Sequence, residues 1–553
     1  MSRRTPGLGR ITTREWRWVV WFAVAVMALT TVPYVVAWKA AGDQWRFSGF
    51  VFGVEDGNSY IAKMLRGAQG AWLFQLSYAP EPHSRAVMFL FHILLGKVTG
   101  WVAGASDGMR LHSALVIAYH VARFGSGGAL LAVSYRFLAE FLRAVRPRRL
   151  GRVLVAFGGG LGWLLGLLPG ARLPLDFYSP EAFTFLDLFG LPHLAAARAL
   201  VLAGVVSYWA ALRTGGRWPA LRAGLLWLGA ALIQPFYVAL VYVLAALQFG
   251  LRRLQGRATA PAVRAGLIAV APSLPFILYT VVLFQVDPIY AQWAAQNRIF
   301  SPPPLDYAAA WGVLLVPAMF GLRVLRRRNP TAWTWVLVWL VALPFLLYAP
   351  YNLQRRTSEG IQLPLVGLAL LGTSVGVPAG LRARARLRFR RWGNAVLLVF
   401  SLPTALLLWA GSAANTQAPA EPMFIPTAEA ELYACLGQSL PARQLVLAAY
   451  ASSNAVPAFG PLVAYVGHGP EAVYLSTKQR EIDAFYDPAT PAAARIAQWE
   501  ALRRPAFVYG PHEAEYGGVD FSDEVYAGLW VSVCESGSYW AFADPAALNG
   551  DGA

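Results

Sequence analysis

An all-α polytopic membrane bundle with a small α/β module at its carboxyl end is the fold this sequence predicts, and three observations predict it. Of the 553 residues, 57% are hydrophobic and only 14% charged, with 21 Trp, 30 Phe and 23 Tyr. Apolar runs long enough to cross a hydrocarbon layer of about 30 Å as helices recur through the first three quarters of the chain. Charge is also sorted by position. Six short segments (1–17, 143–152, 213–222, 252–264, 323–328 and 382–391) hold 27 arginines against Glu15 alone, while loops 41–85, 169–192, 287–306 and 350–360 carry nearly all other acids of the membrane half. Cytoplasmic loops retain Lys and Arg, so the first set faces the cytoplasm and the second faces outward. The excess of 47 cationic over 29 acidic side chains, net +18, is therefore a topology signal and calls for no nucleic acid. A soluble globular enzyme is excluded on the same grounds.

The first apolar run, 18–38, follows an Arg-rich start and lacks a small-residue cleavage site before Asp43, which predicts a retained signal anchor. Further spans are expected near 153–168, 193–212, 223–234, 235–251, 265–286, 306–322, 331–349, 361–378 and 393–412. The pair meeting at Gln234-Pro235 is too short for two full spans, which predicts a broken or half-depth hairpin there. Charge bias requires an odd number of crossings between loop 41–85 and segment 143–152, one or three. The total is then 11 or 13 transmembrane helices, amino end inside and carboxyl end outside. This predicts a membrane domain over 1–412, with a first external loop at 41–85, and an extracytoplasmic domain over 413–553.

In that last domain the charge balance reverses, with 6 basic residues against 16 acidic ones. Short β-like runs at 445–449, 463–466, 507–509, 529–533 and 539–543 alternate with helix-like stretches at 476–486 and 490–503, the pattern of a small α/β module. Both cysteines, Cys435 and Cys534, lie in it. An exported location permits a disulfide between them, and two buried thiols fit the sequence equally. No CxxC or HExxH spacing supports a structural metal site.

Candidate chemistry starts in the first external loop, where Glu55-Asp56 precede an amphipathic stretch with Tyr60, Ile61, Met64 and Leu65 on one face. Such a helix lies in the outer interface with both acids at its amino end. Helix capping explains one carboxylate there but not two. Arg355-Arg356 stand on the outer side, against the positive-inside bias, where a planar guanidinium fork suits phosphate oxygens. The competing reading has both snorkel to ordinary lipid phosphates with Glu359 as a salt-bridge partner. Arg123, in the motif Tyr119-His120-x-x-Arg123, lies in an apolar stretch and needs a cavity or a helix partner. Trp72, Tyr78, Glu81 and His83 are candidates for the acceptor side of the loop, where an interfacial aromatic belt predicts similar residues. Glycines 158, 162 and 166 repeat every four residues, which favours close helix packing over a phosphate loop. Gly467-His468-Gly469-Pro470-Glu471 reads as a plain turn-rich loop with acceptor contact as the functional alternative.

Together these elements resemble the GT-C class of membrane glycosyltransferases. The matching residues are Asp56-x-x-x-Tyr60-x-x-x-Met64, Gly70-x-Trp72, Tyr119-His120-x-x-Arg123, Gly160-Leu161-Gly162-Trp163, Pro192-His193 and Gln354-Arg355-Arg356-x-x-Glu359-Gly360, within 18–412. The resemblance implies an integral protein of the cytoplasmic membrane that moves a sugar from a polyprenyl-phosphate donor to an extracytoplasmic glycan, lipid or protein acceptor. It implies Asp56 as general base in an inverting displacement, with Glu55 orienting the acceptor or assisting a metal. Donor phosphate contacts fall to Arg355, Arg356, Arg123 and His120, and substrate contacts to Tyr60, His193, Trp72 and His83. Some members of the class use a divalent ion, Mg or Mn, and others none; Asp56 and Glu55 are the residues that would hold it. Two alternatives are a flippase for a lipid-linked saccharide and a polysaccharide polymerase or ligase with a lipid-pyrophosphate donor. Ion-coupled transport is disfavoured because only Glu15, Asp107 and Glu140 approach the spans.

Overall fold

The computed structural model describes residues 9–104, 108–170, 172–257, 259–375, 383–521, 523 and 526–548; Asp107 falls outside them. Two compact units make up the chain. One comprises Met1–Val32, Ala122–Val282 and Arg298–Ser412, and the other Pro33–Val121, Leu283–Asn297 and Ala413–Ala553.

Among the described residues, seven helices are long and apolar enough to cross a membrane: Thr13–Ala40, Gly108–Leu138, Pro192–Thr214, Pro235–Leu254, Pro304–Arg328, Pro330–Leu347 and Arg384–Asn415. An eighth crossing is counted if Ala260–Val270 and Leu274–Val286, bent by 59°, form one span. The chain is an integral, multi-pass membrane protein. Four of these helices open with proline at the first position, where the missing N–H costs nothing and the fixed φ suits the helix. Three close on arginine, Arg213, Arg252-Arg253 and Arg326 to Arg328, which complements the carboxyl end of the dipole.

Three expected spans take other forms. Arg217–Ile233 has 17 residues, and the break foreseen at Gln234-Pro235 is a junction between two good helices. The sharp bend lies instead between Val270 and Leu274. Gln362–Val375 has 14 residues and is buried from Gln362 to Leu371, so protein surrounds it. The segment expected at 153–168 is not one helix. Val145–Phe157 ends at Gly158, and the glycines that follow wrap the buried carboxylate of Asp176, which accepts from Gly160 N (2.9 Å) and Thr404 Oγ1 (2.7 Å). A Cβ at Gly162 would occupy the space that this carboxylate fills. Close packing was the right reason for the glycines, but it serves a polar loop and no helix stripe. Between 86 and 142, Gly108–Leu138 is the one helix among the described residues that meets the spanning criteria.

In the second unit, helix Val54–Ala68 packs along Leu90–Ala103 at a separation only glycine allows. A Cβ on Gly67 would strike the carbonyl of Ile93, and one on Gly96 the carbonyl of Met64. The carboxyl-terminal sheet follows the predicted runs closely: β3 (Leu445–Leu447), β4 (Val463–Ala464), β5 (Ala506–Tyr509), β6 (Val531–Ser536) and β7 (Tyr539–Ala543), preceded by a separate pair, β1 (Trp45–Phe47) and β2 (Phe424–Pro426). The order is β4-β3-β5-β7-β6, with β3 parallel to β4 and β5, and β7 antiparallel to β5 and β6. β1 and β2 pair antiparallel and tie loop 41–85 to the carboxyl-terminal module. Cys435 and Cys534 form a disulfide between helix Thr427–Ser439 and β6.

Candidate active site

The site is built on helix Val54–Ala68. Its apolar face, with Ile61, Met64 and Leu65, is buried in one core with Leu115, Tyr119, Val456 and Phe459. Burial of that face leaves Glu55 and Asp56 in the first turn directed outward, and the Asp56 side chain keeps 55% of its surface exposed.

Asp56 Oδ1 lies 2.9 Å from His468 Nε2. The imidazole is 5% exposed, and its Nδ1 faces Glu471 Oε1 at 4.0 Å. Glu471 accepts from Ser59 Oγ (2.8 Å) and from Lys63 Nζ (2.6 Å), and the ammonium lies over the ring of Phe89 at 4.4 Å. Burial alone would raise the Glu471 carboxyl, but the Lys63 ammonium and the His468 imidazole hold it below its ordinary value of 4.5. An anion, an ammonium and an imidazole are thus stacked behind one exposed carboxylate.

The segment carrying His468 is shaped by its glycines. Gly467 has φ of 125°, and a Cβ there would press on Tyr78 and on the backbone of Asn454. Tyr78, fully buried, donates to Asn454 O (2.8 Å) beneath the imidazole. Glu55 accepts from Tyr450 OH at 3.2 Å, and Gly469 N donates to the same phenol at 3.0 Å. Burial, with Glu55 second, pushes that phenol up to about 12.

The other candidate residues fall into separate settings. Tyr60 stacks on His92 at 4.8 Å. His120 bonds Gly49 O at 2.9 Å and meets the edge of Tyr34. His83 has both ring nitrogens engaged within its own loop, by Leu76 N (3.0 Å) and by Glu81 O (2.6 Å). Trp72 is 64% exposed beneath Lys97 Nζ. In the first unit, Arg123 is buried and donates to Thr30 Oγ1, Thr31 Oγ1 and Leu188 O at 2.7 to 3.1 Å, which pins helices together. His193 is buried at the start of Pro192–Thr214. Arg355 and Arg356 stand on the short helix Gln354–Ser358, 3.7 and 3.8 Å from the Glu181 carboxylate. Glu359 is not their partner. It forms a buried bidentate pair with Arg198 at 2.5 and 2.7 Å, alongside Asp187.

Sequence reasoning found the acid pair but not His468, Glu471, Lys63 or Tyr450 as its neighbours. The one available signal was a His and a Glu flanking Gly-Pro at 468–471 in the carboxyl-terminal module. For a divalent ion, Asp56 would offer an oxygen and His468 a nitrogen, a mixed set that suits Mn or Zn better than the all-oxygen shell Mg prefers. Among the described residues a second set, Glu421, Glu429 and His512, has ligand atoms within 4.8 Å of one another.

No family model and no curated protein matches the sequence. Solved structures do. The chain is similar to the arabinofuranosyltransferase AftD from Mycobacteria at a TM-score of 0.57 and 14% identity, covering 98% of this chain and 40% of that one. It is also similar to the archaeal oligosaccharyltransferase AglB from Archaeoglobus fulgidus, solved with an inhibitory peptide and a dolichol-phosphate, at 0.53 and 12% identity, covering 90% of this chain and 70% of that one. The apo form of the A. fulgidus oligosaccharyltransferase gives the same TM-score of 0.53 over 94% and 73%. The fold is that of the GT-C membrane glycosyltransferases.

Proposed function

On a GT-C fold, we propose that this protein is an inverting glycosyltransferase that moves a sugar from a polyprenyl-phosphate donor to an extracytoplasmic glycan, lipid or protein acceptor. The observation that carries this reading is Asp56, an exposed carboxylate at the start of an interface helix, held by a buried His468 that is itself backed by Glu471 and Lys63. The solvent-facing part of that carboxylate is what an incoming alcohol would meet.

In this reading the acceptor O–H gives its proton to Asp56 as its oxygen bonds to the anomeric carbon. The bond from that carbon to the lipid phosphate breaks, and its electron pair leaves on the phosphate oxygen. His468 fixes the rotamer of Asp56, and Glu55, braced by Tyr450, orients the acceptor. Arg355 and Arg356 bind the donor phosphate, and Glu181 holds their planes in register until it arrives. A divalent ion on Asp56 and His468 would add positive charge toward the departing phosphate. Tyr60, Trp72, His83 and His193 are proposed as substrate contacts, and Arg123 and His120 as support for the phosphate side. The amino end lies in the cytoplasm and the 413–553 module outside.

The test is purified protein in lipid, offered a panel of polyprenyl-phosphate sugars. Asp56→Asn is expected to lose transfer by a factor of about 10² or more while donor binding persists. Arg356→Ala is expected to weaken donor binding several-fold. Unchanged turnover in Asp56→Asn removes the general-base role, and lipid movement without a new glycosidic bond removes the transferase reading.

A further inference from the structure

Three arginines of the second unit, Arg66, Arg85 and Arg443, are answered by no carboxylate. Several fully buried arginines do have partners: Arg198 meets Glu359, Arg148 meets Glu15, and Arg495 donates to the carbonyls of Phe485 and Asp487. Among the described residues the guanidinium groups of these three make no ion pair and no hydrogen bond.

The backbone brings them together. Arg66 ends helix Val54–Ala68, and its carbonyl accepts from Ala71 N (3.0 Å) as the chain turns back. Phe74 then exchanges two backbone hydrogen bonds with Ala86 (2.8 and 2.9 Å), which sets Arg85 beside that turn. Ser77 O accepts from Ala464 N of β4, and Arg443, two residues before β3, bonds Pro461 O just before β4. Arg443 stands in the left-handed region at φ 70°, and its Nη1 is buried without a partner. Burial first, then the charges of Arg66 and Arg85, bring this guanidinium down to about 10. The other titratable groups here do not neutralise the trio. His83 is engaged by its own loop, Tyr290 donates to Ser84 O, and Asp287 spends its oxygens on the amides of Ser84, Ile289 and Tyr290.

Like charges gathered and partly dehydrated in one place cost stability unless an anion joins them. The surroundings suggest where that anion comes from. Asp287 directly follows the apolar helix Leu274–Val286, and Leu90–Ala103, packed on the helix that bears Arg66, exposes Leu94, Val98, Trp101 and Val102. Such a rim suits lipid.

We propose that Arg66, Arg85 and Arg443 form a binding site for a phosphate oxyanion, supplied by a membrane lipid headgroup or by free phosphate. The site is independent of the transferase reading. Guanidinium forks from three backbone segments converge on the tetrahedral oxygens, and the anion locks loop 71–86 to the start of the α/β module.

The test uses the full chain in neutral detergent without phosphate, titrated calorimetrically with dihexanoyl phosphatidylglycerol, dihexanoyl phosphatidylcholine and inorganic phosphate. Saturable binding of phosphatidylglycerol or of phosphate, weakened at least ten-fold in Arg85→Gln and Arg443→Gln, supports the site, and the tighter of the two names the source. Thermal midpoints add a readout that a structural role would not produce. In anion-free buffer the exposed-site variant Arg85→Gln is expected to melt at or above wild type, because repulsion is relieved, and the anion is expected to raise wild type only. No saturable binding of either anion, binding unchanged in both variants, or a clear loss of stability in anion-free Arg85→Gln overturns the proposal.

Discussion

Asp56 and its supports show how far single residues speak for themselves. Two adjacent acids before an amphipathic stretch point to chemistry on sequence grounds alone, because capping needs only one of them. His468 carries no such mark, since its contact with Asp56 spans 412 positions and nothing local to a Gly-Pro turn encodes it. The Lys63–Glu471 pair makes a prediction at this scale. Both side chains are almost wholly buried, so Lys63→Met leaves an uncompensated carboxylate and is expected to destabilise the second unit by about 3–5 kcal/mol at neutral pH. Glu471 is held below 4.5 when folded, so the pair's contribution is fully present above that value and lost as pH falls through the depressed folded one. The gap in thermal midpoint between wild type and variant should therefore be widest near pH 7 and shrink only as the pH falls below 4.5; a gap independent of pH contradicts the ion pair.

Secondary elements were readable where one physical signal dominated. Proline before an apolar run and arginine after it framed the spanning helices, and β-branched and aromatic runs between turn residues framed the strands of the module. Segment 153–168 failed because hydropathy counts glycine as neutral in a membrane helix. Consecutive glycines at 158–160 give up helix readily, and the amide and space they free are taken by Asp176, which lies downstream. The disulfide was undecided for a similar reason: Cys435 and Cys534 are 99 positions apart, and only the packing of helix Thr427–Ser439 against β6 joins them. A disulfide typically contributes about 2–4 kcal/mol. Cys435→Ser is accordingly expected to lower the melting point of the module by several degrees while the membrane helices keep their circular dichroism, and an unchanged midpoint under reduction would show the bond to be dispensable.

At the scale of the whole molecule, the asymmetric distribution of arginine makes a prediction about sidedness. A single cysteine introduced at the exposed Ala489 should react with a membrane-impermeant maleimide in right-side-out vesicles, and one at the exposed Thr214 only in inverted vesicles. The reverse pattern would invert the topology and move Asp56 to the cytoplasmic face. The sequence by itself determined the membrane class, the acid pair at the start of an amphipathic helix and the strand runs of the module. Each depends on composition, on a repeat of 3.6 or 2 residues, or on the cost of placing charge in hydrocarbon, all of which are local quantities. Tertiary structure alone decided which imidazole meets Asp56, which acid answers Arg355 and Arg356, why Arg198 takes Glu359, and that Arg66, Arg85 and Arg443 gather with no counter-ion. Those outcomes follow from close packing of distant segments, and the free energy of a buried charge depends on its neighbours in space, which chain order leaves unspecified.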